Sequence, residues 1–233
     1  MRTVTAVAHR GDPYRVRENT LPSLRSALAL GADAVEVDVR LTRDGVPVLL
    51  HDATLTRLWH HDRPLSALSA DEVRGLTAGG VPTLVEALKE TADTRVMVDL
   101  PGADPRAVRT VVGVIRDCGA EERAYYCAGA RTMLMVRAAD PAAEIALTWT
   151  TLAPPRRALL DAVRPRWLNY RFPLVTRDLA ARVHRDGCLV SAWTPDTRRS
   201  MRRLLDAGAD SLTTNRVDLL TALRQERLST GHP

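Results

Sequence analysis

Residues Gly31–Asp52 read GADAVEVDVRLTRDGVPVLLHD, and this stretch decides how the chain folds. The apolar pair Ala34-Val35 leads into Glu36-Val37-Asp38, where the two-residue period of a strand puts both carboxylates on one face. The extended pattern runs on through Leu41 to Asp44-Gly45, a strong two-residue hairpin signal, and Val46–Leu50 returns as a second apolar strand ending at His51-Asp52. With Asp44-Gly45 as the turn, residues whose numbers sum to about 89 face each other, which sets Asp38 opposite His51 with Cβ atoms about 5 Å apart. Two carboxylates and an imidazole are thereby expected to converge through local geometry alone.

Outward from the hairpin, strands and helices alternate. Expected strands lie at 4–8, 34–38, 95–99, 124–127, 144–149, 167–170, 188–193 and 210–214. Each is followed by a helix except the second, after which the hairpin and a polar insertion at about 53–80 intervene. The first helix follows Asn19-Thr20, either of which can cap it, with Pro22 in the first turn; a short helix is expected after Ser69. Eight strand–helix repeats predict an α/β protein, a closed (β/α)8 TIM barrel formed by a single domain over 1–233. The 46–50 arm is too closely connected to be a parallel barrel strand and is placed above the rim, delivering His51 over the mouth. An open doubly wound sheet is the alternative, but no Gly-rich dinucleotide loop supports it.

In such a barrel the chemistry lies at the carboxyl ends of the strands. Gathered there are His9-Arg10, Glu36, Asp38, Asp99 and Trp193-Thr194, with His51 supplied by the hairpin. Taken singly, each has a bland reading: an exposed carboxylate, a loop histidine, a Trp that packs as a lid. Joint placement at one end favours function. Three adjacent carboxylates repel one another unless a cation neutralises them, and oxygen-only ligation suits a hard divalent ion, Mg²⁺ or Ca²⁺. Two flanking histidines suit general acid–base work, and Arg10 a charge-assisted grip on phosphate. His60-His61 read as solvated and His184 as structural. Cys127 could be a nucleophile but has no evident cationic neighbour.

Composition narrows the classes. The net charge is +5, Lys89 is the only lysine, and the arginines are scattered among acidic neighbours. A phosphate-bearing ligand could exploit them, but arginine-biased codon usage with a solvated surface is the favoured reading, and no basic run interleaved with aromatics marks a nucleic-acid partner. No apolar run approaches the roughly 18–20 residues of a membrane span, so no stable membrane insertion is expected, nor is a signal peptide. Cys118, Cys127 and Cys188 have no metal-type spacing and read as reduced thiols, pointing to the cytoplasm. Oligomeric state is not legible.

The segments AHRG (8–11), ENT (18–20), residues 31–57, VPTLVEAL (81–88), SAWTPD (191–196) and AGADSLTTN (207–215) resemble the glycerophosphodiester phosphodiesterases nearly end to end. The resemblance implies a barrel enzyme that uses one divalent cation, Mg²⁺ or Ca²⁺, to hydrolyse a small-molecule phosphodiester to glycerol 3-phosphate and an alcohol. It implies His9 and His51 as the catalytic pair, and Glu36 and Asp38, with Asp99 in the place of a family Glu, as metal ligands. Arg10, Glu18, Asn19 and Trp193 would then be substrate contacts, although capping alone explains Asn19. Two departures stand out. The family's Glu-x-Lys is Asp99-Leu100-Pro101 here, and its Ser-Phe is Cys127-Ala128. They leave room for another phosphodiester, such as a lysophospholipid or specialised metabolite, for a cyclising lyase, or for a weakly active phosphoester-binding module.

Overall fold

A computed structural model describes residues 4–229. The chain runs β1 (Thr5–His9), α1 (Leu21–Ala29), β2 (Ala34–Leu41), β3 (Pro47–Leu49), α2 (Thr56–Trp59), α3 (Ala70–Leu76), α4 (Leu84–Glu90) and β4 (Arg95–Asp99). It continues with α5 (Pro105–Asp117), β5 (Ala124–Ala128), α6 (Ala130–Ala139), β6 (Ile145–Trp149), α7 (Arg157–Val163) and β7 (Trp167–Arg171). Then come α8 (Arg177–Arg185), β8 (Leu189–Trp193), α9 (Arg198–Ala207), β9 (Ser211–Thr214) and α10 (Val217–Ser229). Every strand except β3 pairs in parallel with its neighbours, and β1 closes the sheet by pairing with both β2 and β9. This is the expected (β/α)8 barrel. Residues 1–3 and 230–233 of the expected 1–233 domain lie outside the described residues. Among the described residues, no helix is long and apolar enough to cross a membrane, and the three cysteines are unpaired.

The two-residue period divides each strand between two cores. Outward residues such as Val35, Val37, Val96 and Val98 pack under the helices. Val7, Ala34, Met97, Tyr125, Ala146 and Trp167 form a separate cluster that plugs the barrel. One inward step further along β1, β2 and β4 come His9, Glu36 and Asp99, so the alternation that fills the barrel below puts polar groups at its mouth.

The hairpin differs from its expected register by one residue. Val39 pairs with Leu49, Arg40 with Val48 and Leu41 with Pro47, so the numbers sum to 88 rather than 89. The loop is Arg43-Asp44-Gly45, closed by Thr42 N–H donating to Val46 O at 3.1 Å, with Gly45 left-handed at φ +85°. A two-residue turn on Asp44-Gly45 would demand positive φ at both residues, whereas here Gly45 alone carries it. Asp44 instead accepts from Thr42 Oγ1 (2.5 Å) and Ala70 N–H (3.1 Å), tying the turn to α3. Leu50, not His51, therefore sits opposite Asp38, its N–H on Asp38 O at 3.0 Å. His51 lies past the end of β3.

The insertion at 53–80 is less polar inside than its composition suggests. Leu55, Leu65, Leu68 and Val73 pack with Val48 and Leu50 of the hairpin into a small core of their own. Ser69 caps α3 with a reciprocal bond to Glu72, as its sequence predicts. Thr20, rather than Asn19, caps α1.

Candidate active site

The turn after β1 is pinned by small side chains. Ser23 Oγ donates to Arg10 O (2.9 Å) and accepts from Asp12 N–H (2.7 Å). Gly11, at φ +85°, passes so close that a Cβ there would lie 2.3 Å from Ser23 Oγ. This turn aims the Arg10 N–H at Glu36 Oε2 (3.0 Å). The Arg10 side chain donates to Glu18 Oε1 at 3.0 Å and brings Nε within 2.9 Å of Asp38 Oδ2, although its N–H is not aligned for a hydrogen bond there.

Glu36, Asp38 and Asp99 bring one oxygen each to within 4.8 Å of one another. Burial, followed by repulsion from Asp38 and Asp99, raises the Glu36 carboxyl well above its ordinary range. Burial and Asp38 likewise push Asp99 up to about 7. Asp38, 1% exposed, holds Asn19 Nδ2 on Oδ2 at 2.8 Å, but its Oδ1 is buried without a partner. An unpaired carboxylate oxygen beside two carboxyls that resist ionisation is the signature of a site completed by a cation. The residues fit a hard divalent ion.

The two histidines face this cluster with different partners. His9 Nδ1 meets Asn215 Oδ1 at 2.7 Å, and Asn215 Nδ2 donates to Asp196 Oδ2 at 2.7 Å. The Asn215 amide is thereby oriented with its oxygen toward His9, so His9 carries its proton on Nδ1 and presents Nε2, 3.9 Å from Glu36 Oε2, as a lone pair. Burial and the Arg10 charge lower its pKa. His51 Nδ1 lies 2.9 Å from Asp52 Oδ1, and Arg57 donates from Nε to Asp52 Oδ2 (2.5 Å) and from its terminal NH2 to Glu18 Oε1 (2.6 Å). Burial pushes the Glu18 carboxyl up, but the Arg57 and Arg10 bonds outweigh it and leave the pKa lowered. A continuous ionic chain thus joins Arg10 to His51 through the insertion.

The mouth is a cavity of about 320 Å³. His9, Arg10, Glu36, His51, Asp99 and Trp193 line it, as does Pro101. Asp38 lies buried behind them; Glu18 is bound to two arginines, and Asn19 has its amide committed to Asp38. Cys127 reaches the cavity as a thiol pushed well up by burial and by Asp99, unsuited to nucleophilic attack. His61 Nε2 contacts Leu76 O at 2.9 Å, and His184 bonds Asp210 at 2.7 Å, remote from the mouth. Asn215, Asp196, Asp52 and Arg57 escaped sequence reasoning. All four nevertheless lie in the segments that carry the family resemblance, Asp196 and Asn215 as the last residues of SAWTPD and AGADSLTTN and Asp52 and Arg57 within 31–57.

A parallel barrel with an acidic cation cluster and paired histidines at its carboxyl rim belongs among the TIM-barrel enzymes. Residues 9–219 match the model of the Glycerophosphoryl diester phosphodiesterase family, and the chain belongs to that family. It is 27% identical to the glycerophosphodiester phosphodiesterase of Caldanaerobacter subterraneus subsp. tengcongensis, over 93% of this chain and 96% of that one. It is 33% identical to the "Probable glycerophosphodiester phosphodiesterase 2" of Mycobacterium tuberculosis, over 92% of this chain and 88% of the relative. Among solved structures, an Oleispira antarctica phosphodiesterase in complex with the product sn-glycerol-3-phosphate superposes with a TM-score of 0.83 at 22% identity, covering 95% of this chain and 96% of that one. The glycerophosphodiester phosphodiesterase of Thermotoga maritima gives 0.79 at 21%, covering 94% and 98%. At these identities the structural likeness speaks for the fold.

Proposed function

We propose that this chain hydrolyses glycerophosphodiesters to glycerol 3-phosphate and an alcohol, with His9 and His51 as an acid–base pair beside a cation held by Glu36, Asp38 and Asp99. The observation that carries the reading is that both imidazoles open onto the cavity that the Glu36 and Asp99 carboxyls line. A bound Mg²⁺ or Ca²⁺ supplies charge neutralisation and polarisation of the phosphoryl group. His9 Nε2 takes the proton of the attacking hydroxyl, either water or the neighbouring glycerol hydroxyl, which gives a cyclic phosphate that water then opens to glycerol 3-phosphate. His51, oriented by Asp52 Oδ1 at 2.9 Å from its Nδ1, gives a proton to the leaving alkoxide. Asn19 orients Asp38, and Arg10 holds Glu36 through its backbone while offering a cation to the phosphate. Trp193 forms part of the substrate wall. Three unpaired cysteines suit action in a reducing cytoplasm.

A panel of glycerophosphodiesters with Mg²⁺, Ca²⁺ and Mn²⁺, scored for monoester release, tests the reading. Chelator, His9→Ala and His51→Ala are each expected to lower turnover by about 10²-fold or more. Full activity in the double histidine variant would sink the mechanism. Phosphorus NMR separates a cyclic product from an open monoester.

One observation favours a second reading. Pro101 lines the mouth where the resemblance leads one to expect lysine, so this side of the phosphate site lacks a cation. A desolvated contact of that kind is worth about 10²–10³ in rate. Calorimetric binding of glycerophosphodiesters without turnover under any metal would make the chain a phosphoester-binding module.

A further inference from the structure

The cavity has two walls of opposite character. His9, Glu36 and Asp99 stand on β1, β2 and β4; Thr148, Asn169 and Thr213 stand on β6, β7 and β9. No charged residue lines the second wall among the described residues. At its centre Asn169, only 4% exposed, donates from Nδ2 to Cys127 Sγ (3.2 Å) and to Thr148 Oγ1 (3.3 Å). Its Oδ1 is buried with no partner, and so is Thr213 Oγ1. Buried polar atoms are almost always satisfied, so an unpaired amide acceptor and an unpaired hydroxyl on a cavity wall call for a ligand or water. Trp193 Nε1, on β8 between β7 and β9, is a third unpartnered atom in a residue of this wall, and it is a donor; Ser191 and Ser211 also carry unpartnered Oγ atoms, but they do not line the cavity.

The chemistry of the wall selects what enters. Asn169 Oδ1 needs a donor and would repel a phosphate or carboxylate oxygen, while Thr213 Oγ1 can both donate and accept. A quaternary ammonium can donate no hydrogen bond and would meet no carboxylate on this wall and a single large aromatic, Trp193. A hydroxyl matches all three orphans, since it can donate to Asn169 Oδ1 while its oxygen accepts from Thr213 Oγ1 or Trp193 Nε1. We propose that the β6–β9 wall, centred on Asn169, is a subsite for the uncharged, hydroxyl-bearing part of the diester, a polyol and not a cationic head group. The assignment rests on the phosphodiesterase reading of the opposite wall.

Calorimetric titration of Mg²⁺-loaded protein with inorganic phosphate and with glycerol 3-phosphate separates the two walls. Asn169→Leu is expected to weaken glycerol 3-phosphate about three- to tenfold while phosphate affinity stays within about twofold. Thr213→Val, nearly isosteric, is expected to act in the same direction and stands in if Asn169→Leu does not fold. Unchanged preference for glycerol 3-phosphate over phosphate in a folded variant takes the shared glycerol off this wall, and with unchanged kcat/KM on glycerophosphoglycerol it overturns the subsite alone. Wild-type protein that binds neither ligand overturns the phosphodiesterase reading and the subsite with it. Hydrolysis of glycerophosphoglycerol and glycerophosphocholine then identifies which polyol is held. A loss of kcat/KM confined to the former assigns the leaving alcohol, an equal loss on both assigns the shared glycerol, and no loss on either overturns the proposal.

Discussion

Asn19 grips Asp38 with both ends of its amide: Nδ2 donates to Asp38 Oδ2 at 2.8 Å, and Oδ1 accepts the Asp38 backbone N–H at 3.2 Å. Asn19 adopts φ +54°, a left-handed conformation Asn tolerates better than most residues, and is buried. The two hydrogen bonds orient the carboxylate and leave Asp38 Oδ1 without a partner, where it would be available to a cation. Asn19→Ala is expected to lower Mg²⁺ affinity by about 10- to 100-fold, read by calorimetry, with a smaller metal-induced rise in Tm. Wild-type affinity in Asn19→Ala would show that Asp38 needs no such support.

The acidic cluster couples cation binding to protons. Folded, metal-free protein holds the Asp99 proton up to about pH 7, whereas an unfolded chain releases it near pH ~3.9. The fold therefore binds more protons in that window, and metal-free stability falls as pH rises from about 4 to about 7. Glu36, raised in the same direction, adds to the effect. Cation binding must displace these protons. Calorimetry near pH ~6 in buffers of different ionisation enthalpy should report release of on the order of one proton per ion, with affinity rising toward neutrality. Proton-neutral binding at that pH would show that the ion sits elsewhere.

The Asn215 amide sets which nitrogen of His9 faces the cavity. Asn215→Ala removes the acceptor and frees the imidazole to flip or change tautomer, with kcat expected to fall about 10²-fold and KM to change little. Asn215→Asp keeps an acceptor on Nδ1 and should restore much of the rate. Equal losses in both variants would mean that the position matters for shape alone.

Those partners show where sequence reasoning stops. Strand alternation placed Glu36 and Asp38 on one face because they are two residues apart on one element, and a period of two needs no tertiary information. Asn215 and His9 are 206 residues apart and meet only because β1 and β9 are neighbours when the barrel closes. Arg57 was unreadable for a similar reason: it reaches Glu18 and Asp52 from an insertion whose four-residue helix has no side-chain cap to announce it. The hairpin register slipped by one because Asp44 is engaged by Thr42 and Ala70, contacts that select the longer turn. His51 still reaches the mouth, since two residues past the strand it is free of the pleat.

The turn that carries Arg10 has no room for a methyl group. An alanine at position 11 would combine a left-handed φ of +85° with a Cβ 2.3 Å from Ser23 Oγ and 2.6 Å from the Ser23 carbonyl carbon, a backbone atom of α1 that cannot rotate away. Gly187 supplies the control, with φ +80° and nothing within 4 Å of the same methyl. Gly187→Ala should cost about 1–2 kcal/mol from backbone strain alone, and Gly11→Ala about 2–5 kcal/mol once the collision is added, both read from urea denaturation. In any Gly11→Ala protein that folds, moving the turn withdraws the Arg10 N–H from Glu36, so Mg²⁺ affinity should fall together with stability. Equal destabilisation by the two variants would mean that α1 yields to the methyl and that the turn does not hold the metal cluster in place.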